Sequence, residues 1–161
     1  TAVNLFKERE APAGSRFNYV TAETEVLARV LVGATGRSMT ELTSEWLWEP
    51  LGAEDPAYWI ISRSDRVEHG GGGFFASLRD WAKIGLMMAS DGRVGDRTVV
   101  PREFLLDATD AQRQPAAFRP RVATPYMGYG YQTWLLPFKT RTFALQGIHG
   151  KPSTCNPPAR S

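Results

Sequence analysis

The stretch YGYQTWLLPFKTRTFALQGI, residues 129–148, decides the predicted fold class of this 161-residue chain. Residues 129–136 and 142–148 alternate or run apolar, which is typical of β-strands. Residues 137–141 would join them as a hairpin. Because two strands alone form a marginal sheet, we expect the hairpin to belong to a larger antiparallel sheet whose other strands lie outside this chain.

The residues before this hairpin predict helices. The first predicted helix carries one apolar stripe at helical spacing, formed by Val26, Leu27, Val30, Leu31 and Ala34. Thr21 is its predicted N-cap, and Gly36 is predicted to end it in a left-handed conformation. Further helix starts are indicated by Ser38 with Glu41, by Ser77 with Asp80, and by Pro101; Pro50 is predicted to stop the second helix. Helices followed by a hairpin indicate an α+β fold.

The domain boundary is predicted near residue 150. Residues 1–150 form the predicted domain, and residues 151–161 hold three prolines and almost nothing apolar. Proline has no N–H to donate to a sheet. We therefore expect residues 151–161 to be a disordered or aberrant tail and not a strand.

Composition argues against several classes of protein. The net charge is +2, and the arginines are scattered, whereas a nucleic-acid-binding surface needs a clustered basic stripe. No apolar run approaches the roughly 18 residues that span a bilayer. Cys155 is the single cysteine, so no intrachain disulfide can form. No signal segment opens the chain, and the composition decides neither between bacterial cytoplasm and export nor the oligomeric state.

Four segments, taken together, carry a resemblance to a known family. They are RFNYVT (16–21) with TGRS (35–38), WEPLG (48–52), GGGFFASLRDWA (71–82), and GYGYQTW (128–134) with GIHG (147–150). In this order and spacing they resemble the serine β-lactamase and penicillin-binding-protein superfamily, in its class C-like, esterase and 6-aminohexanoate-dimer-hydrolase branch. The resemblance implies a C-terminal fragment of the β-lactamase/transpeptidase-like fold, with a helical segment and part of an antiparallel sheet.

The resemblance assigns a catalytic role to Tyr19. The matching tyrosine of the family relays a proton between the serine, a lysine and the leaving group. The positive end of the helix that follows Tyr19 would favour its phenolate. The alternative is an aromatic ring that simply packs at a helix start.

Five residues are candidates for substrate binding: Thr21, His69, Ile148, His149 and Gly150. Thr21 stands where the family has asparagine and offers one hydroxyl in place of an amide, which favours esters or linear amides over β-lactams. Residues 148–150 stand at the family's Lys-Thr-Gly element, where glycine lets a substrate lie along an edge strand. Considered as isolated histidines, His69 is more typical of an exposed loop residue and His149 of an exposed strand residue.

Ser-x-x-Lys, the nucleophile and base of the family, does not occur in the chain. Lys7, Lys83, Lys139 and Lys151 are preceded at that spacing by asparagine, aspartate, leucine and isoleucine. We expect a fragment of a serine hydrolase for small esters or linear amides, without cofactor or metal and inactive alone. The nucleophile segment would precede these residues, and a frameshift or early stop near residue 150 would explain the tail.

The sequence also bears on other classes of protein. HGGG (69–72) resembles the oxyanion loop of α/β-hydrolases, but no Gly-x-Ser-x-Gly is present. No Gly-Lys-Ser/Thr follows the glycines, which excludes a P-loop. His149 and Cys155 lack the further ligands of a zinc site. A non-catalytic remnant or binding domain is the other alternative.

Overall fold

The computed structural model of the chain describes residues 8–147 and 151–155. These residues divide into two compact units: the first is built mainly from Tyr19–Lys83, and the second from Glu10–Asn18 with the described part of Ile84–Ser161. Helices are combined with small antiparallel sheets, so the predicted α+β class is confirmed.

The helices of the first unit are α1 (Thr21–Thr35), α2 (Met39–Thr43) and α3 (Glu49–Leu51), with a π-helical turn at Ser44–Trp48; α4 (Leu78–Ala89) starts in this unit and ends in the second. Gly36 ends α1 as predicted, in a left-handed conformation with φ 68°, and its N–H donates to the carbonyl of Val32 at 2.8 Å. Thr21 is not the N-cap. The extended Val20 holds that position without a side-chain cap, and its carbonyl accepts from the N–H of Glu23 at 3.0 Å.

The apolar stripe of α1 does not face the interior of the unit. Leu27, Val30 and Leu31 are about half exposed, and Ala28 is the buried residue of this helix. The stripe is therefore present as a pattern in the sequence but is not the buried face of the helix. The small side chain of Ala28 faces inward because the backbone at Gly70 packs directly against it.

The second helical segment begins as predicted but does not stop at Pro50. Ser38 and Glu41 form a complete capping box. Pro50 lies inside α3, which continues to Leu51 and ends at a left-handed Gly52. Proline cannot donate to the carbonyl four residues back. Here the preceding turn is already widened into a π-helical turn, which accommodates the lost hydrogen bond.

A partly buried aromatic cluster lies beside a short hairpin in the first unit. β1 (Tyr58–Trp59) pairs antiparallel with β2 (Phe74–Phe75). The Phe74 ring packs against three tryptophans, with centroid distances of 5.4 Å to Trp48, 4.8 Å to Trp59 and 5.6 Å to Trp81. These contacts fix the chain on both sides of the loop at 69–73.

The second unit contains a small hairpin, one helix and a larger sheet. Its elements are β3 (Arg93–Val94), β4 (Arg97–Thr98), α5 (Arg102–Thr109), β5 (Gly128–Gly130), β6 (Thr133–Leu135), β7 (Phe143–Gly147) and β8 (Lys151–Cys155). Pro101, which was predicted at the first helical position, is instead the N-cap of α5. Two 3₁₀ turns, Ala111–Arg113 and Ala116–Phe118, follow the helix. Leu135 and Phe143 are completely buried and centre the apolar core.

The predicted first strand of the sheet is in fact a tight hairpin. Gly130 pairs with Thr133, and the two residues between them, Tyr131 and Gln132, both have positive φ, at 43° and 66°. Two consecutive left-handed residues are characteristic of a type I′ turn. Glycine and asparagine normally occupy such a turn, so Tyr-Gln gave no turn signal in the sequence.

The sheet continues where a disordered tail was expected. The strands lie in the order β5-β6-β7-β8, all neighbours antiparallel, with Phe143 opposite Cys155 and Gly147 opposite Lys151. The prediction that proline keeps residues 151–155 out of a strand was wrong. β8 is the outermost described strand, and proline is tolerated on an edge strand because only half of its backbone groups need partners.

Candidate functional site

Tyr19 and Thr21 flank the start of α1. The Tyr19 side chain precedes the helix by two positions and is 53% exposed. Thr21 is the first helical residue and is also exposed. The unoccupied N–H groups of a first helical turn carry partial positive charge. The partly exposed Tyr19 and Thr21 therefore lie close to an electropositive helix end.

A five-residue loop, residues 69–73, projects from the β1–β2 hairpin; we call it the glycine loop. The N–H of Gly73 donates to the carbonyl of His69 at 2.9 Å, and the N–H of His69 donates to the carbonyl of Ile60 at 2.9 Å. The N–H of Ile60 in turn donates to the carbonyl of Gly73 at 2.7 Å. The loop is thus closed at its base by backbone hydrogen bonds.

Glu25 of α1 binds the tip of the glycine loop. Its Oε2 accepts from the N–H of Gly70 at 3.2 Å, and its Oε1 accepts from the N–H of Gly71 at 3.0 Å. His69 Nδ1 lies 3.6 Å from Glu25 Oε1. Consecutive backbone N–H groups form a concave anion site, and here the protein's own carboxylate fills it. These two N–H groups are therefore not an open oxyanion hole, and the α/β-hydrolase interpretation of HGGG is not supported.

The glycines allow the loop to approach α1. A Cβ on Gly70 would lie 2.5 Å from the Cβ of Ala28, and a Cβ on Gly71 would lie 2.9 Å from Cγ2 of Thr21. Two of the predicted site residues, Thr21 and His69, are thereby brought to the same region of the first unit. Glu25, which connects them, was not predicted. In the sequence, Glu25 is marked only by its position: it lies one helical turn after Thr21, on the side of the helix that carries Ala28.

The other predicted binding residues, Ile148, His149 and Gly150, lie outside the described residues. Their neighbours in the chain, Gly147 and Lys151, are paired at the ends of β7 and β8. The assignment of substrate binding to residues 148–150 stays a prediction.

Asp80 is a buried structural residue of the first unit. It is completely buried at the start of α4, where its carboxylate accepts from the N–H groups of Glu54 at 3.0 Å and Asp55 at 3.1 Å and from the Ser77 hydroxyl at 2.8 Å. Lys83 Nζ lies 3.2 Å away. The Glu54 N–H and these further partners hold the pKa of Asp80 well below its usual range. The predicted Ser77–Asp80 cap is confirmed, since Ser77 Oγ accepts from the N–H of Asp80.

The described part of the chain contains neither a metal-binding cluster nor a membrane-spanning helix. No group of three or more histidine, cysteine, aspartate or glutamate side chains there could hold a metal ion. None of its helices has both the length and the apolar character needed to cross a membrane.

The order of these elements matches a known family. The Beta-lactamase family model matches residues 6–156. The chain belongs to the beta-lactamase family.

Relatives of known sequence and structure agree with this beta-lactamase assignment. The 6-aminohexanoate-dimer hydrolase of Paenarthrobacter ureafaciens is 27% identical over 137 residues, which are 84% of this chain and 35% of that protein. A Bacillus anthracis protein assigned as a 6-aminohexanoate-dimer hydrolase superposes with a TM-score of 0.76 at 25% identity, over 93% of this chain and 38% of its own.

A Bacteroides dorei protein assigned as a beta-lactamase shares the fold, with a TM-score of 0.74 at 22% identity over 96% of this chain and 51% of its own. The chain thus spans about a third of the length of the curated relative that it matches.

Proposed function

We propose that this beta-lactamase-family chain is the tyrosine-bearing part of a serine hydrolase that cleaves small esters or linear amides through an acyl-enzyme. The observation that carries the proposal is the placement of Tyr19. Its side chain is about half exposed and lies immediately before the positive end of α1. A proton relay needs a hydroxyl that the reacting groups can reach.

In the proposed reaction a serine attacks the carbonyl carbon of the substrate. The proton leaves the serine hydroxyl, and the Tyr19 oxygen passes it to the leaving alcohol or amine as the acyl-enzyme forms. Water then hydrolyses the acyl-enzyme. The serine and its lysine are not among the 161 residues, so in this proposal a further polypeptide segment supplies them.

The substrate class is inferred from residues beside Tyr19. Thr21 replaces the family's asparagine with a single hydroxyl, which supports linear substrates over β-lactams. His69, about half exposed beside Glu25, adds a group that can meet a polar substrate atom. The names of the P. ureafaciens and B. anthracis relatives are consistent with a linear amide.

The test joins this chain to a beta-lactamase-family segment that carries Ser-x-x-Lys and measures hydrolysis of nitrophenyl esters and of linear 6-aminohexanoate amides. Tyr19→Phe should lower kcat by about 10²-fold or more, the usual effect of removing a proton-transfer group. Tyr58→Phe is the matched control, because Tyr58 is an exposed tyrosine of the same unit. Equal activities of the two variants would remove Tyr19 from the mechanism.

The absence of Ser-x-x-Lys also favours a second candidate, a non-catalytic binding domain. A fluorophosphonate probe, which reacts with activated serines, distinguishes the candidates. We expect no stoichiometric labelling of the 161-residue chain by itself and labelling of the joined protein. If the probe labels neither the 161-residue chain nor the joined protein, and the joined protein is folded, the non-catalytic domain is favoured.

A further inference from the structure

We propose that Glu25 is a positioning residue that fixes the proton of His69 on Nδ1 and so presents Nε2 as a hydrogen-bond acceptor to the substrate. This inference rests on the proposed function, because it assigns a task to a residue of that candidate site. It starts from the carboxylate that joins α1 to the glycine loop.

The first step concerns the stability of the loop. Four consecutive glycines have the largest backbone freedom available to a chain. The Glu25 carboxylate binds two of their N–H groups, at 3.2 and 3.0 Å, and hydrogen bonds to an ionised acceptor are the stronger kind. A carboxylate is needed because both of its oxygens must accept. A glutamine has one accepting oxygen and an NH₂ group that would face a second N–H donor.

The second step concerns His69, the residue directly before the glycines. Its Nδ1 lies 3.6 Å from Oε1 of Glu25, slightly beyond hydrogen-bond distance but close enough for the charge of the carboxylate to act on it. A lone pair on Nδ1 would face the negative oxygen and be repelled, whereas an N–H there is attracted to it. The neutral imidazole therefore carries its proton on Nδ1, and Nε2 keeps its lone pair.

The third step concerns the substrate class. An Nε2 lone pair accepts a hydrogen bond from an amide N–H or an alkylammonium group, and an ester group has no such donor. The arrangement therefore selects linear amides, or amine-bearing substrates, within the wider class proposed above. Fixing the tautomer through a carboxylate partner also places the ring in one orientation before the substrate arrives.

The test is nuclear magnetic resonance of the labelled 161-residue chain without substrate. The chain has two histidines, so a His69→Gln variant assigns their ring signals. The ring nitrogen shifts of neutral His69 should report the Nδ1–H tautomer in the wild type. In Glu25→Ala the Nε2–H form should gain, and hydrogen exchange at Gly70 and Gly71 should accelerate at least about tenfold, as expected for loss of a protecting hydrogen bond.

Two further variants sharpen the result. Glu25→Gln, which keeps one accepting oxygen, should lose protection at one of the two glycines and keep the other. Glu23→Gln removes an exposed charge from the same first turn and should leave both readouts unchanged. A wild-type Nε2–H tautomer, or a tautomer that Glu25→Ala and Glu25→Gln both leave unchanged, would overturn the proposal. These readouts need no turnover, so failure of the hydrolysis test would leave them intact.

Discussion

Gly70 lies so close to Ala28 that a Cβ atom built on the glycine would be 2.5 Å from the Cβ of the alanine. Gly70→Ala should therefore push the glycine loop away from α1. We expect the free energy of unfolding to fall by about 1–3 kcal/mol, the usual cost of overpacking. Urea unfolding followed by circular dichroism measures this loss.

Gly72→Ala is the control for this prediction. No atom lies within 4 Å of the position of its added Cβ. The unfolding free energy should change by no more than about 0.5 kcal/mol, as for an ordinary surface substitution. Equal losses at the two glycines would show that backbone conformations unsuited to alanine, and not the contact with Ala28, cause the loss of stability.

In the second unit, Arg141 pairs with the buried Asp91. Its guanidinium contacts the Asp91 carboxylate and also donates to the Thr109 hydroxyl at 3.3 Å. Arg141→Met should destabilise the fold by about 3 kcal/mol, because a buried carboxylate loses its main counter-charge. Arg102→Met removes the more exposed partner, 3.3 Å from the same carboxylate, and should cost about 1 kcal/mol or less. Denaturant titration of both variants measures their free energies of unfolding. A larger loss of stability for Arg102→Met than for Arg141→Met would contradict the prediction.

Acid should weaken the first unit through Asp80. Its pKa is lowered in the folded chain by the Glu54 N–H and the other donors around it. A lowered pKa stabilises the fold above the ordinary carboxyl range, and this stabilisation is lost as the pH falls below about 4. Asp80→Asn should melt several degrees lower than wild type at neutral pH and show a weaker decline in acid. Thermal melts across this pH range test this, with the exposed Asp96→Asn expected to follow wild type.

The thiol of Cys155 should react slowly in the folded chain. Its Sγ is buried 3.6 Å from the carbonyl of Gly85, and burial raises the pKa of the thiol. The reactive thiolate is therefore scarce at mildly alkaline pH, and the rate should rise as the pH increases through the raised pKa. Reaction with a disulfide reagent should be at least about tenfold slower than in the chain unfolded by guanidinium. Similar rates in both states would place Cys155 outside the core.

Features set by neighbouring residues were predictable from the sequence. The capping pairs Ser38–Glu41 and Ser77–Asp80 and the terminal Gly36 follow from local hydrogen bonding, and all three are confirmed. The strained turn at Tyr131 and Gln132 was missed because neither residue favours positive φ. It is supported by tertiary contacts: Tyr131 packs on Phe104, with ring centroids 5.5 Å apart.

The candidate site was predictable only in part. Tyr19 and Thr21 were predicted from the family segment at 16–21, and His69 from its place directly before the glycines; their roles stay predictions. Glu25 was missed because its partners, Gly70 and Gly71, are 45 and 46 residues away, and no local pattern marks a carboxylate that binds a distant backbone. The orientation of the α1 stripe was missed for the same reason, since helical spacing identifies a face but not what covers it.

The aromatic cluster around Phe74 has a practical consequence for folding studies. Four of the five tryptophans, Trp46, Trp48, Trp59 and Trp81, belong to the first unit, and Trp134 belongs to the second. Trp134 packs edge-on against Tyr129 at 4.9 Å. Replacing Trp134 by phenylalanine would confine the indole emission to the first unit, and the difference from wild type would isolate the emission of the second. Tryptophan fluorescence can therefore show whether the two units unfold in one transition or in two.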